Sequence, residues 1–246
     1  MSDDLQASAA VGDATNPCSL VHQFFTTDTS FIQETPGDLF DAPDGAAIIH
    51  ACNCKGAWGA GIAAIFRKNY PAAFEVYVQH CRAFKESPSS HNIYDLVYSR
   101  VSRFRSVNLP LGTALIIPPQ ERDIAIHSRR HWVVCLFASD GYGRHVDSSE
   151  KILSSLSAAL KHLNEQLILL RMQAQRTGSE HPLSLYSNRF CTGLFHVRWE
   201  LICDMINSIG LPINVCFPYT ASTTGGRRGR LPVRLRSTEG NETGGQ

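Results

Sequence analysis

Residues 48–71 read IIHACNCKGAWGAGIAAIFRKNYP, an apolar run that breaks into a glycine-rich turn and resumes with helical spacing. A continuous apolar run suits a strand buried on both faces, which belongs in a parallel sheet covered by helices. The turn carries Gly56, Gly59 and Gly61, and the helix is expected over about residues 59–69. Unpaired N–H groups at such a helix start, backed by the helix dipole, make a site for phosphate. Glycine lets phosphate oxygens come within hydrogen-bond range of the backbone. The loop is not a Walker A motif, because Gly-Lys-Ser/Thr is missing, and GAWGAG does not have the GxGxxG spacing. A tight turn packing a helix onto a sheet would use the same residues, so this loop alone leaves both readings open.

The rest of the chain alternates in the same way. SFIQET, AAIIHAC, GTALIIP, HWVVCLFAS, LSLYSNRF and PINVCFP read as strands. Pro71 opens a second helix, and RWELICDMINSIG reads as another, closed by Gly210. SSEKILSSLSAALKHLNEQLILL keeps one apolar face and is capped by Ser148 or Ser149. Strand and helix alternating predict α/β layers on a largely parallel sheet. Polar loop insertions are expected near residues 86–110 and 171–182. One domain over 19–220 lies between a polar segment, 1–18, and a Gly/Arg-rich tail, 221–246, both expected to be disordered. The tail arginines read as a solvated face rather than an RNA site, since no aromatic residues interleave with them.

Among 246 residues, 43% are apolar and the formal net charge is +1, so any bound anion must be held by local geometry rather than a broad positive field. No apolar stretch approaches the roughly 18 residues of a membrane span, and the acidic start does not resemble a signal peptide. Cytoplasm or nucleus is the expected location. The eight cysteines show no CxxC spacing and read as mostly buried thiols. His50, Cys52 and Cys54 lie close together, but a second ligand pair at a usual spacing is missing, so no metal and no cofactor is expected.

Two further segments join the first loop. YSNRFCTGLFHVRWE again runs from strand through a Thr-Gly turn into a helix, and two such loops at adjacent strand ends could grip both sides of a pyrophosphate. Gly37-Asp38-Leu39, after the first strand, puts a carboxylate at the same edge; it could accept from an adenine amine or simply cap a turn. His50 could supply a proton near neutrality or be a structural histidine. Asn53 could hold ribose hydroxyls or a water, or brace its loop.

Together these segments resemble a macro domain, and within it the ADP-ribose 1''-phosphate phosphatase group. The residues carrying the resemblance are PGDLF (36–40), the 48–81 segment, LGTALIIP (111–118), VVCLFASDGYGR (134–144) and TGLFHVRW (192–199). The resemblance implies a three-layer α/β/α sandwich with a mixed, largely parallel sheet. It also implies hydrolysis of ADP-ribose 1''-phosphate to ADP-ribose and phosphate, a by-product step of tRNA splicing. By the same resemblance Gly37, Asp38 and Leu39 meet adenine, with Asp38 the recognising acid. Ala51, Cys52 and Asn53 lead to the distal ribose, where Asn53 faces the sugar. Trp58, Gly59, Ala60, Gly61, Ile62 and Ala63 form the first diphosphate loop. Cys191, Thr192, Gly193, Leu194, Phe195, His196 and Val197 form the second. Tyr142 and Gly143 lie beside the distal ribose, and His50 and Asn53 are the implied catalytic pair. The expected partner is the nucleotide itself, ADP-ribose 1''-phosphate or ADP-ribose, with no membrane or nucleic acid and the chain acting as a monomer.

The second loop departs from the group's Asn-Ser-Gly-Leu-Phe-Gly-Val, with Cys191, Thr192 and His196 replacing Asn, Ser and the later Gly. Ala138 stands where threonine is common. These changes leave two alternatives to the phosphatase: a non-catalytic ADP-ribose-binding module and an ADP-ribosyl hydrolase. The hydrolase branch uses a lysine and an aspartate, and here Ser139 and Phe195 fall at those places. A serine does not readily replace an amine nucleophile.

Overall fold

The computed structural model describes residues 30–86, 92–95, 103–106 and 109–218. The tails expected to be disordered, 1–18 and 221–246, lie outside the described residues. The two longest strands, β2 (Ala46–Asn53) and β6 (Trp132–Ser139), are the apolar runs of the sequence, and every residue of them except Ala51 is buried. They pair in parallel from Ala47 with Trp132 to Cys52 with Phe137. The register then slips, so that Asn53 pairs with Ser139 and Ala138 is passed over. A slip of this kind bends the ladder and re-aims the strand end.

Around this pair the sheet adds β5 (Ala114–Ile117) on one side and β7 (Ser184–Ser187), β8 (Ile213–Phe217) and β1 (Ile32–Pro36) on the other, in the order β1-β8-β7-β2-β6-β5. All neighbours are parallel except β5 against β6. Alternation along β2 and β6 divides two cores. Ala47, Ile49, Val134 and Leu136 pack with Ile152, Leu156 and Leu160 of α4 (Ser149–Thr177) and Ile202 and Ile206 of α5 (Trp199–Ile209). Ile48, Cys52, Val133, Cys135 and Phe137 pack with Phe66 of α1 (Gly61–Asn69) and Tyr77 and Cys81 of α2 (Pro71–Glu86). The result is a three-layer α/β/α sandwich with a mixed, largely parallel sheet.

Three details differ from the sequence reading. The stretch 86–110 holds a two-stranded antiparallel sheet, β3 (Asn92–Asp95) against β4 (Arg103–Ser106), and the rest of it beyond Glu86 up to residue 108 lies outside the described residues. Helix α4 runs on to Thr177 before Gly178 ends it at φ 70°. Met172, Gln173, Ala174, Gln175 and Arg176 are good helix formers despite their polarity, so only the last part of 171–182 is irregular. Finally, α3 (Glu121–His127) follows β5, and its buried Asp123 accepts from Ala72 N (2.8 Å) and Ala73 N (2.9 Å), capping the first turn of α2. Among the described residues all seven cysteines are free, and no helix is long and apolar enough to cross a membrane.

Candidate active site

Strands β7, β2 and β6 end at one edge, and three loops leave it there. Between them opens a cleft of about 730 Å³, a volume within the range of cofactor and nucleotide pockets. Its walls are Ala51, Cys52 and Asn53 of β2, the first loop from Ala57 to Ala63, Tyr142, Gly143 and Val146 after β6, and Asn188 to His196 after β7. A smaller hollow of about 320 Å³ lies at the opposite strand ends, around Gly45 and the Arg130–Glu180 ion pair.

The first loop is fixed from below. Asn53 Oδ1 accepts from Lys55 N (2.9 Å), Ala57 N (3.3 Å) and Tyr77 OH (3.2 Å), and Asn53 Nδ2 donates to Ala57 O (2.6 Å). Tyr77 OH also donates to the main-chain oxygen of Asn53 (2.7 Å), and the Tyr77 ring stacks on Trp58 at 5.0 Å. The amide of Asn53 is therefore the brace of the loop. Beyond Trp58 the chain is extended at Ala60, then turns at Gly61, φ 58°, into α1. No side chain caps this helix, so its first-turn N–H groups are left for an anion at the positive end of the dipole. A Cβ on Gly59 would meet nothing within 4 Å, whereas one on Gly61 would meet Leu194 Cδ1 at 3.3 Å. The two diphosphate loops expected from the sequence thus line one cleft, with Leu194 filling the space that a side chain at position 61 would need.

The second loop is braced by its own backbone. Val197 N donates to Cys191 O (3.0 Å), His196 N to Gly193 O (3.1 Å), and Thr192 Oγ1 to Arg189 O (2.6 Å). Cys191 (φ 63°) and His196 (φ 52°) both occupy the left-handed region that favours glycine and asparagine. Both are positions where the sequence departs from the group pattern, and a side chain at each makes the left-handed backbone strained. Burial pushes the thiols of both Cys52 and Cys191 well up, which keeps them protonated and poor nucleophiles. On the third side, Asp147 Oδ2 accepts from Asp140 N (2.7 Å) and Ser139 Oγ (3.3 Å), and its Oδ1 pairs with Lys151 (2.7 Å). Partial burial raises the Asp147 carboxyl, but these donors outweigh it and hold it below its usual range. Lys55 pairs with Asp140 at 2.7 Å and ties the first loop to this one.

Most of the expected site residues meet in this cleft, but five do not line it. His50 is fully buried behind the wall, its ring stacked on Phe66 (4.0 Å) and edge-on to Trp58 (4.7 Å). Val197 is buried beneath its loop. Gly37, Asp38 and Leu39 lie past the end of β1, where Asp38 Oδ1 accepts from Phe40 N (3.0 Å) and caps a short 3-10 turn. Ser139 is fully buried against Asp147, and Phe195 packs against the core, so neither offers the lysine or aspartate of the hydrolase branch.

Five cleft residues escaped the sequence reading: Val146, Ala57, Asn188, Arg189 and Phe190. The last three directly follow β7, and the rule that ligands sit at carboxyl ends of parallel strands points to them. Arg189 is held by Glu34 of β1 through two hydrogen bonds (3.0 and 2.7 Å) and covers Phe217 at 5.2 Å. Glu34 also accepts from Trp199 Nε1 (2.6 Å). Two polar atoms of cleft residues, Trp58 Nε1 and Asn188 Oδ1, are buried without a hydrogen-bond partner among the described residues. Buried polar atoms of this kind are commonly completed by water or a ligand.

No family model matches the chain. It is 44% identical over 194 residues to the ADP-ribose 1''-phosphate phosphatase of Neosartorya fischeri, an alignment covering 77% of this chain and 96% of that protein. The same identity holds over 192 residues with the ADP-ribose 1''-phosphate phosphatase of Aspergillus fumigatus, covering 77% and 96%. In three dimensions it resembles the macrodomain of Mycobacterium tuberculosis DarG, with a TM-score of 0.51 and 17% identity over 77% of this chain and 98% of that one. The layered sheet, the pair of glycine loops and relatives matched over nearly their whole length agree, and the chain belongs to the ADP-ribose 1''-phosphate phosphatase family, on a macrodomain fold.

Proposed function

We propose that this chain hydrolyses ADP-ribose 1''-phosphate: water adds to phosphorus, the bond from phosphorus to the 1''-oxygen breaks, and ADP-ribose and inorganic phosphate leave. The observation that carries the reading is that the loop at Gly61 and the loop at Leu194 line one cleft. In this reading the diphosphate lies against the uncapped start of α1 and the backbone of the Cys191–His196 loop. Backbone N–H groups neutralise its charge without a net positive surface. The distal ribose and its phosphate lie toward Asn53, Tyr142 and Gly143. The adenine reaches toward β8 and β1, where Asp38 accepts from its exocyclic amine.

The roles of the implied catalytic pair follow from their surroundings. Asn53 shapes the first loop, so it acts by holding N–H groups in place for the phosphoryl oxygens. His50 stands behind Cys52 and Trp58, and its part is to position that wall rather than to touch phosphate. Full burial of His50 also favours a second reading, an ADP-ribose-binding module without turnover. Incubation with ADP-ribose 1''-phosphate and measurement of inorganic phosphate separates the two. Release of phosphate supports hydrolysis; no release at high protein concentration, with ADP-ribose still bound in calorimetry, supports the binding module. Asp38→Ala is expected to weaken ADP-ribose binding by roughly 10-fold or more, the loss of one hydrogen bond to a charged group. Unchanged affinity would remove Asp38 from the adenine site.

A further inference from the structure

The spacing of cysteines along the chain offers no metal site, but the sheet brings three soft donors together from two strands. His50 and Cys52, two apart on β2, face the same side, and the parallel register sets Cys135 of β6 beside His50. The ligand atoms of these three side chains all lie within 4.8 Å of one another. His50 and Cys135 are fully buried and Cys52 is 2% exposed. We propose that His50, Cys52 and Cys135 bind a divalent thiophilic cation, zinc, in the floor beneath the nucleotide cleft.

Three considerations select this ion. Cys52 Sγ lies 3.5 Å from His50 Nε2. Bonds of about 2.3 Å to sulfur and about 2.0 Å to nitrogen at a tetrahedral angle put those two atoms roughly 3.5 Å apart, and two sulfurs about 3.8 Å apart. One edge of the polyhedron already has its length, the others need to close by about 1.3 Å at most, and the imidazole, whose Nδ1 also lies 3.7 Å from Cys52 Sγ, turns to aim one nitrogen at the ion. Two thiolates and an imidazole are soft donors that disfavour magnesium and calcium. The surroundings, Phe66, Trp58, Val133 and Phe137, are apolar. A divalent ion with two thiolates and a neutral imidazole carries no net charge, whereas a monovalent ion would leave a buried negative charge. As the sulfur–metal bonds form, the two thiol protons pass to solvent. Cys52, alone of the three, also lines the cleft, and gives the ion its way in.

The test uses no nucleotide, so it stands or falls apart from the hydrolytic reading. Full-length protein, stripped with a chelator, is titrated with zinc chloride against a chromophoric zinc indicator, and separately with cobalt(II) while absorption is recorded. One zinc per chain with a dissociation constant below about 1 µM, and cobalt bands of tetrahedral thiolate ligation, are expected. Cys135→Ala is expected to weaken zinc at least ~100-fold and abolish the cobalt bands. Cys135→Val, which keeps apolar volume, serves if the alanine variant folds poorly. Cys203→Ser, altering a half-buried thiol on α5, is expected to bind zinc as the parent does. Zinc binding equally tight in both Cys135 variants, or no stoichiometric zinc in the parent chain, would overturn the site.

Discussion

Tyr77 shows how a residue that touches no ligand can decide the shape of a binding loop. Its hydroxyl reaches from the middle of α2, inside the apolar layer, and donates to the backbone and side chain of Asn53. Burial raises the phenol far above its ordinary range, so it remains a donor at any pH the fold survives. Tyr77→Phe leaves the stack on Trp58 and Phe137 but strips the Asn53 oxygens of a donor. We expect unfolding free energy to fall by about 1–3 kcal/mol in urea denaturation, with weaker ADP-ribose binding. A variant with parent stability and affinity would show that Asn53 holds the loop without it. Asn53 itself was legible as a residue at the strand end, and its two possible roles were not separable there. The choice depends on Tyr77, which the chain brings back only through α2.

At the scale of elements, the second loop holds left-handed backbone at two residues that are not glycine. Cys191 and His196 adopt left-handed angles that cost L-residues roughly 1–2 kcal/mol each. His196→Gly relieves one of them, partly offset by the greater freedom of glycine in the unfolded chain. A net stabilisation of about 0.5–1 kcal/mol is expected, read as a higher thermal midpoint, and a lower midpoint would contradict the strain. The sequence displayed these departures plainly. What it did not reveal was their backbone angles, because a residue's φ here is set by hydrogen bonds such as Val197 N to Cys191 O. Element ends behaved similarly: Gly210 marked one helix end, while residues 172–177 hid the last turns of α4 and its stop at Gly178.

The whole molecule is tied together across its sheet edge by Glu34, which joins β1 to Arg189 of the second loop and to Trp199 at the start of α5. The hydrogen bond from Arg189 holds the Glu34 carboxyl below its usual range, more strongly than partial burial raises it. A group harder to protonate when folded stabilises the fold above its unfolded value, near 4.3 for glutamate, and that contribution fades as pH falls through the folded value. Asp147 has the same sign on the opposite loop. The thermal midpoint is therefore expected to hold from neutrality to about pH 5 and drop below about pH 4, with a shallower acid slope in Glu34→Gln. Equal slopes in the two proteins would mean that solvent screening leaves this contact without effect.

By itself the sequence determined the layers and the strand–loop–helix units. Apolar periodicity, glycines at turns and caps are local properties, and local properties survive in a linear reading. The tertiary structure decided what stands beside what: Leu194 over Gly61, Arg189 against Glu34, Cys135 next to His50, and His50 behind the wall instead of in the cleft. Those neighbours come from the lateral order of strands and the register between them. Packing of distant segments sets both, and no spacing along the chain encodes either.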